Sequence, residues 1–225
     1  MACRERFDGV VFDLDGTLIE TAPDLAAALN HVLQEAGLPS VPLADVRHMV
    51  GDGAKVLIER GFAADGRTLS AEELEHWFAI FLDYYGAHIA DFSHPFDGAL
   101  EALDDLAAAG LTLGVCTNKP EAMSNRLFAE LGIAERFAAV LGGDSLPVRK
   151  PDAGHLLGTL ERMGVAPERA VMIGDSANDR DAARNAGVPV VLVSFGYTVV
   201  PAIELEADGH IDAFSQLISA LSKLP

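Results

Sequence analysis

Gly9-Val10-Val11-Phe12-Asp13-Leu14-Asp15-Gly16-Thr17 runs an apolar, β-branched segment straight into two carboxylates and a glycine. A short run of this kind, closed by Asp and Gly, predicts a buried strand over 9–13. Asp13 and Asp15 stand at i and i+2 of an extended chain, so their side chains leave on the same side. Like charges that close are unfavourable unless a cation or a shared proton relieves them. Taken alone the stretch is equally a strand-end turn, because Asp-Gly is common in turns.

Further along the chain, 111–117, 170–174 and 188–194 read as buried strands in the same way. Between them lie helical patterns over 97–109, 120–131 and 179–186, which stop at Gly110, Gly132 and Gly187. Alternation of this kind predicts an α/β fold with a Rossmann-like parallel sheet. The strands end in Asp13, Thr117, Gly174-Asp175 and Ser194. Ligands of such sheets bind beyond the carboxyl ends of the strands, which places these polar ends at one crevice.

Residues 19–92 break the rhythm with helices and no evident strand, and read as a helical cap inserted after the first strand. The catalytic core is then 1–18 plus 93–225. Thr21 is expected to cap the first inserted helix, with Asp24 three residues on, and Ser70 with Glu73 to cap a later one. The Trp77, Phe78, Phe81, Leu82 and Tyr85 stripe on that later helix reads as packing rather than a cofactor box.

Composition bounds the partners. The chain has 225 residues, half of them apolar, and 16 Lys+Arg against 34 Asp+Glu give a net charge of −18. Such a chain carries a real core, and without a basic cluster it should repel nucleic acid and anionic lipid. Cys3 and Cys116 cannot form a disulfide framework, which suggests a reducing compartment. The start has no apolar h-region, and no stretch approaches the roughly 20 apolar residues of a membrane span. The expectation is a soluble cytoplasmic protein with neither nucleic-acid nor membrane partner, a monomer or homodimer.

Three more motifs sit at predicted strand ends. Gly174-Asp175-Ser176-Ala177-Asn178-Asp179 places two acids about one helical turn apart, although acids at a helix start also suit the macrodipole. Thr117-Asn118 offers a hydroxyl and backbone N–H groups at a helix start, a phosphate cradle or a plain N-cap. Lys150-Pro151 is the fourth, and Pro at a helix start is routine. Cys116 lies within an apolar run and reads as core.

In order, Asp13-x-Asp15-Gly16-Thr17, Thr117, Lys150 and Gly174-Asp175-Ser176-x-x-Asp179 are separated by 104, 33 and 25 residues between Asp13, Thr117, Lys150 and Asp175. This series resembles the haloacid dehalogenase-like phosphohydrolase superfamily across the whole core, with a cap at the matching place. The resemblance implies that Asp13 attacks phosphorus and that Asp15 acts as acid, then as base. It implies Mg²⁺ on Asp13, the Asp15 backbone carbonyl and Asp175. Thr117, the Asn118 N–H and Lys150 would bind the phosphoryl group, with Asp179 holding Lys150 or a metal-bound water. Asp-x-Asp rather than a lone Asp points to phosphate chemistry.

Thr21-Ala22-Pro23-Asp24-Leu25, Met49-Val50-Gly51-Asp52-Gly53-Ala54 and Ser194-Phe195-Gly196-Tyr197 look like bacterial phosphoglycolate phosphatases, implying hydrolysis of a small phosphate ester, 2-phosphoglycolate. Gly51 and Gly53 bring bare N–H groups that could face a small carboxylate, or simply serve an inter-helix turn; Lys55 and Arg47 beside them could pair with substrate or be solvated. The cap carries 4 basic against 12 acidic residues, which disfavours large polyanions. Phe96-Asp97-Gly98 departs from the family's usual Pro-Gly without touching the catalytic motifs. His31, His48, His76, His88, His94, His155 and His210 show no ligand spacing and read as structural. The alternatives are a phosphatase for a sugar acid phosphate or pyrophosphate, a mutase of the β-phosphoglucomutase type, and a non-catalytic binding module.

Overall fold

A computed structural model describes residues 6–224, so Cys3 lies outside the described residues. Six strands form one parallel sheet: β1 (Gly9–Phe12), β4 (Thr112–Cys116), β5 (Ala139–Leu141), β6 (Ala170–Gly174), β7 (Val190–Val193) and β8 (Gly209–Ile211). Their order is β5-β4-β1-β6-β7-β8. The chain builds outward from β1 to one edge, then crosses back to β6 and builds toward the other. That reversal opens a crevice at the carboxyl end of β1, where Asp13 follows.

All four β1 residues are buried because helices cover both faces of the sheet. Val10 and Phe12 pack on one face and Val11 on the other, as the period of two requires. The strands expected from the sequence lose one or two residues at their ends, and 170–174 keeps both bounds. β5 and β8, three residues each, were not expected. An edge strand this short has too few residues to display a periodicity.

Ile19–Glu20 (β2) and His94–Pro95 (β3) pair antiparallel, Ile19 with Pro95 and Glu20 with His94, where the chain leaves and rejoins the core. The insert therefore begins on a strand, contrary to the purely helical expectation. Helices Ala22–Glu35, Leu43–Arg47, Ala54–Ala63 and Ala71–Ala87 follow. Leu29 and Phe62 of these helices share one apolar cluster with Val10 and Phe12, so insert and sheet pack continuously. No helix among the described residues is long and apolar enough to cross a membrane.

The two expected caps differ. Ser70 and Glu73 form a reciprocal capping box. Thr21 occupies the N-cap position of Ala22–Glu35 but makes no side-chain cap. Its hydroxyl donates to Asp15 Oδ1 instead, over 2.6 Å. Asp24, buried, accepts from the N–H groups of Phe92 and Ser93 and from the Ser93 hydroxyl. Both polar side chains thus fasten the two connections between insert and core rather than the helix end. Trp77 packs against Phe62 as expected, with ring centroids 5.6 Å apart. Phe81, Leu82 and Tyr85 of the same stripe also wall a cavity, which the packing reading did not anticipate.

Candidate active site

Asp13 leaves the end of β1 with its N–H bonded to the Ile173 carbonyl of β6. Lys150 Nζ lies 2.7 Å from Asp13 Oδ1 and 2.6 Å from Asp179 Oδ1, and all three groups are buried. Asp179 Oδ2 accepts from the Ser176 hydroxyl and from the N–H groups of Asp175 and Ser176. That carboxylate is saturated, and its work is to hold Lys150 and the turn after β6. The helix-start chemistry and the site chemistry are here the same set of contacts.

Lys150 is set from behind. Its N–H donates to His155 Nδ1, whose Nε2 lies 2.9 Å from the Gly142 carbonyl, and its own carbonyl accepts from the Asn118 amide. His155 is fully buried, and it is structural, as expected, in service of the lysine loop.

Asp13, Asp175 and Asp179 offer oxygens that all lie within 4.8 Å of one another. Burial pushes the Asp13 carboxyl up to about 7, Lys150 pulls it down, and Asp179 adds a further upward push. Asp175 is raised well above the ordinary range, by burial and by the Asp179 and Asp13 charges. Three buried carboxylates against one ammonium are short of positive charge, and a divalent cation bound by oxygen ligands fits that deficit. The donor set is all oxygen, which suits a hard cation.

Tyr197 was singled out only as part of a motif, yet it joins the metal-type cluster to the insert. Its N–H donates to Asp175 Oδ2 over 2.6 Å. Gly196 permits this approach, since a Cβ there would fall 2.2 Å from the Asp175 Cβ. The Tyr197 hydroxyl donates to Glu20 Oε1 at 2.6 Å and accepts from the N–H groups of Thr21 and Ala22.

The Gly51 carbonyl accepts from the Asn118 amide at 3.1 Å, and Asn178 donates to Asp52 Oδ1 at 2.8 Å. The Val50–Gly53 loop is thereby seated on the core over the strand ends. Gly51 and Gly53 take φ of 120° and 90°, a region that favours glycine, and both line the cavity. Thr117 lines it too, with its hydroxyl accepting from the Lys119 N–H. Arg47 and Lys55 are placed elsewhere. Arg47 pairs with Glu20 at 2.8 Å and lies over the Tyr197 ring. Lys55 pairs with Glu75 and lies over Phe78. Neither is among the cavity-lining residues. The cavity between insert and core is small, about 30 Å³.

Lys119, directly after Thr117-Asn118, was not among the expected site residues. It is buried, and its Nζ lies 3.1 Å from Asp15 Oδ1 and 4.5 Å from the centroid of the Tyr85 ring. The sequence signal that could have found it is a lysine directly after Thr117-Asn118, where the chain enters a helix.

Residues 10–193 match the model of the haloacid dehalogenase-like hydrolase family. A protein of Agrobacterium fabrum named phosphoglycolate phosphatase is 47% identical over 211 residues, covering 94% of this chain and 91% of that protein. A protein of the same name from Caulobacter vibrioides is 51% identical over 205 residues, covering 91% and 86%. Among solved structures, a protein of Haemophilus somnus described as a predicted phosphoglycolate phosphatase superposes with a TM-score of 0.88. It is 32% identical, with 95% of this chain and 97% of that chain covered.

Proposed function

The chain belongs to the haloacid dehalogenase-like hydrolase family, and we propose that it is a phosphatase that hydrolyses 2-phosphoglycolate to glycolate and phosphate, with Mg²⁺ as cofactor. The observation that carries the chemistry is Asp13 at the end of β1, held by Lys150 at 2.7 Å and facing the same cavity as Thr117. The substrate rests on relatives of that name that are about half identical over nearly the whole chain.

Asp13 attacks phosphorus, its oxygen forming a bond to phosphorus as the bond to the glycolate oxygen breaks. Asp15 gives that leaving oxygen its proton, then takes one from the water that attacks phosphorus and releases Asp13. Lys150 offsets the charge on nucleophile and phosphoryl oxygens. Thr117 and the Asn118 N–H receive those oxygens at the start of helix Glu121–Glu130. Asp13, Asp175 and the Asp15 carbonyl would hold Mg²⁺, which supplies positive charge against the incoming dianion. Asp179 acts through Lys150 rather than as a ligand, because its oxygens are already taken.

Residues 19–92 form a cap that opens about the β2–β3 ribbon to admit substrate and closes on the core. A cap rich in acids favours a small ester over a large polyanion. The net charge of −18 supports an enzyme with no nucleic-acid partner and no anionic membrane surface to bind. It is read as cytoplasmic, acting as a monomer or homodimer.

The test is phosphate release from a panel of small phosphomonoesters and pyrophosphate, with and without Mg²⁺. Release from 2-phosphoglycolate at the highest kcat/KM, lost with EDTA, is expected. Another ester at ten times that kcat/KM would overturn the substrate, and turnover without net phosphate release would indicate a mutase.

A further inference from the structure

A two-carbon ester presents little besides its phosphate and its carboxylate, so an enzyme selective for it needs a group that reads the carboxylate. Arg47 and Lys55 are committed to Glu20 and Glu75. Among the described residues that line the cavity, Lys119 is the one cation. An ammonium has three donors, and one of them is used on Asp15 Oδ1 at 3.1 Å. That oxygen already accepts from Thr21 at 2.6 Å.

Tyr85 supplies a second donor. Its hydroxyl is buried without a hydrogen-bond partner, and its ring lies beside the Lys119 ammonium. Burial pushes this phenol up to about 12, so it keeps its proton at neutral pH. A buried hydroxyl left unpaired is costly, and native structures rarely tolerate one without a use. Around the pair the wall is apolar: Leu25, Leu57, Phe81 and Met123.

Position relative to Asp15 completes the argument. The ester oxygen must lie within hydrogen-bond reach of Asp15 to receive its proton. In 2-phosphoglycolate a single methylene separates that oxygen from the carboxylate. The carboxylate therefore falls next to whatever borders Asp15 on the side away from phosphorus, and Lys119 borders it.

We propose that Lys119, together with the Tyr85 hydroxyl, forms the subsite for the substrate's carboxylate and is the specificity determinant of this enzyme. The assignment rests on the phosphoglycolate reading above. An ester without the carboxylate leaves the remaining donors of a buried ammonium and a buried phenol without an anion, which is how a polar pocket rejects an analogue strongly.

The experiment compares kcat/KM for 2-phosphoglycolate with that for ethyl phosphate, the same two-carbon ester with a methyl in place of the carboxylate. Wild type, Lys119→Met and Tyr85→Phe are measured, each first checked for a wild-type circular dichroism spectrum and thermal transition. Wild type is expected to favour phosphoglycolate strongly. The ratio of the two kcat/KM values should fall about 100-fold in Lys119→Met and roughly tenfold in Tyr85→Phe, mostly through KM for phosphoglycolate. Should Lys119→Met fail to fold, Tyr85→Phe decides, since it leaves the Asp15 contacts in place. Parallel losses on both esters, with the ratio kept, would mean that Lys119 serves only Asp15 and would overturn the subsite. A wild-type enzyme indifferent to the carboxylate would overturn the substrate reading itself, before any variant is made.

Discussion

The hydroxyl of Thr21 donates to Oδ1 of Asp15 over 2.6 Å, so a residue near the start of the insert holds the side chain proposed as the acid of the core. Tyr197, on the far side of the sheet's switch point, takes the Thr21 N–H on its phenol and fixes Asp175 with its own N–H. Cap position, acid and metal-type cluster are therefore one connected set of hydrogen bonds.

Removing the Thr21 hydroxyl tests the first of these links. Thr21→Val keeps the shape and loses a charge-assisted hydrogen bond of about 2 kcal/mol. On 2-phosphoglycolate kcat should fall roughly 30-fold in a variant that urea unfolding shows to be folded under assay conditions, though about 2 kcal/mol less stable. A wild-type kcat with reduced stability would show that the contact is structural only.

Tyr197→Phe and Gly196→Ala separate the two ends of Tyr197. The Phe variant strips a partner from two N–H groups and from Glu20, all near the cap hinge. It should lose about 2–3 kcal/mol of stability in urea unfolding and keep its metal affinity. The Ala variant drives a Cβ into Asp175. Its metal Kd, read by calorimetry, should rise at least roughly tenfold. Equal effects of the two variants on metal binding would contradict this division.

The pH dependence of stability should carry the signature of His155. Burial, with the Lys150 charge, pushes its imidazole from 6.5 down to about 4. Between those values the unfolded chain binds a proton that the folded chain refuses, so stability is complete above pH 6.5 and declines as pH falls toward 4. The loss attributable to this one group is about 3 kcal/mol at most. Urea unfolding of wild type and His155→Gln at intervals between pH 7 and 4.5 measures it. The variant is less stable at pH 7 and its curve is shallower; identical slopes would remove His155 from the account.

Much of this site could be read in the sequence because its parts sit where periodicity ends. Asp13, Thr117 and Asp175 each follow an apolar run, and a parallel sheet brings such ends to one crevice. The partners of Lys119, Tyr85 and Thr21 could not be read, since they are fixed by packing between distant segments. Lys119 meets Asp15 across 104 positions, and Tyr197 meets Thr21 across 176. Thr21-Ala22-Pro23-Asp24 marked the helix start and its N-cap position correctly, and misled only on what the side chains bond. Its spacing is that of a helix start, but both polar side chains were spent on tertiary contacts. Local pattern ranks what a side chain can do nearby and says nothing of an offer from elsewhere in the fold.

The nucleophile is the central claim, and chemical trapping reads it directly. The enzyme is mixed with 2-phosphoglycolate and Mg²⁺, quenched in acid within one turnover, reduced with borohydride and digested for mass spectrometry. An acyl phosphate is reduced under these conditions, so the peptide spanning residues 9–17 should carry Asp13 converted to homoserine. Asp13→Asn should show neither that conversion nor release of phosphate. Recovery of an unmodified peptide from an enzyme turning over at full rate, or a conversion at Asp15 or Asp175 instead, would contradict the assignment.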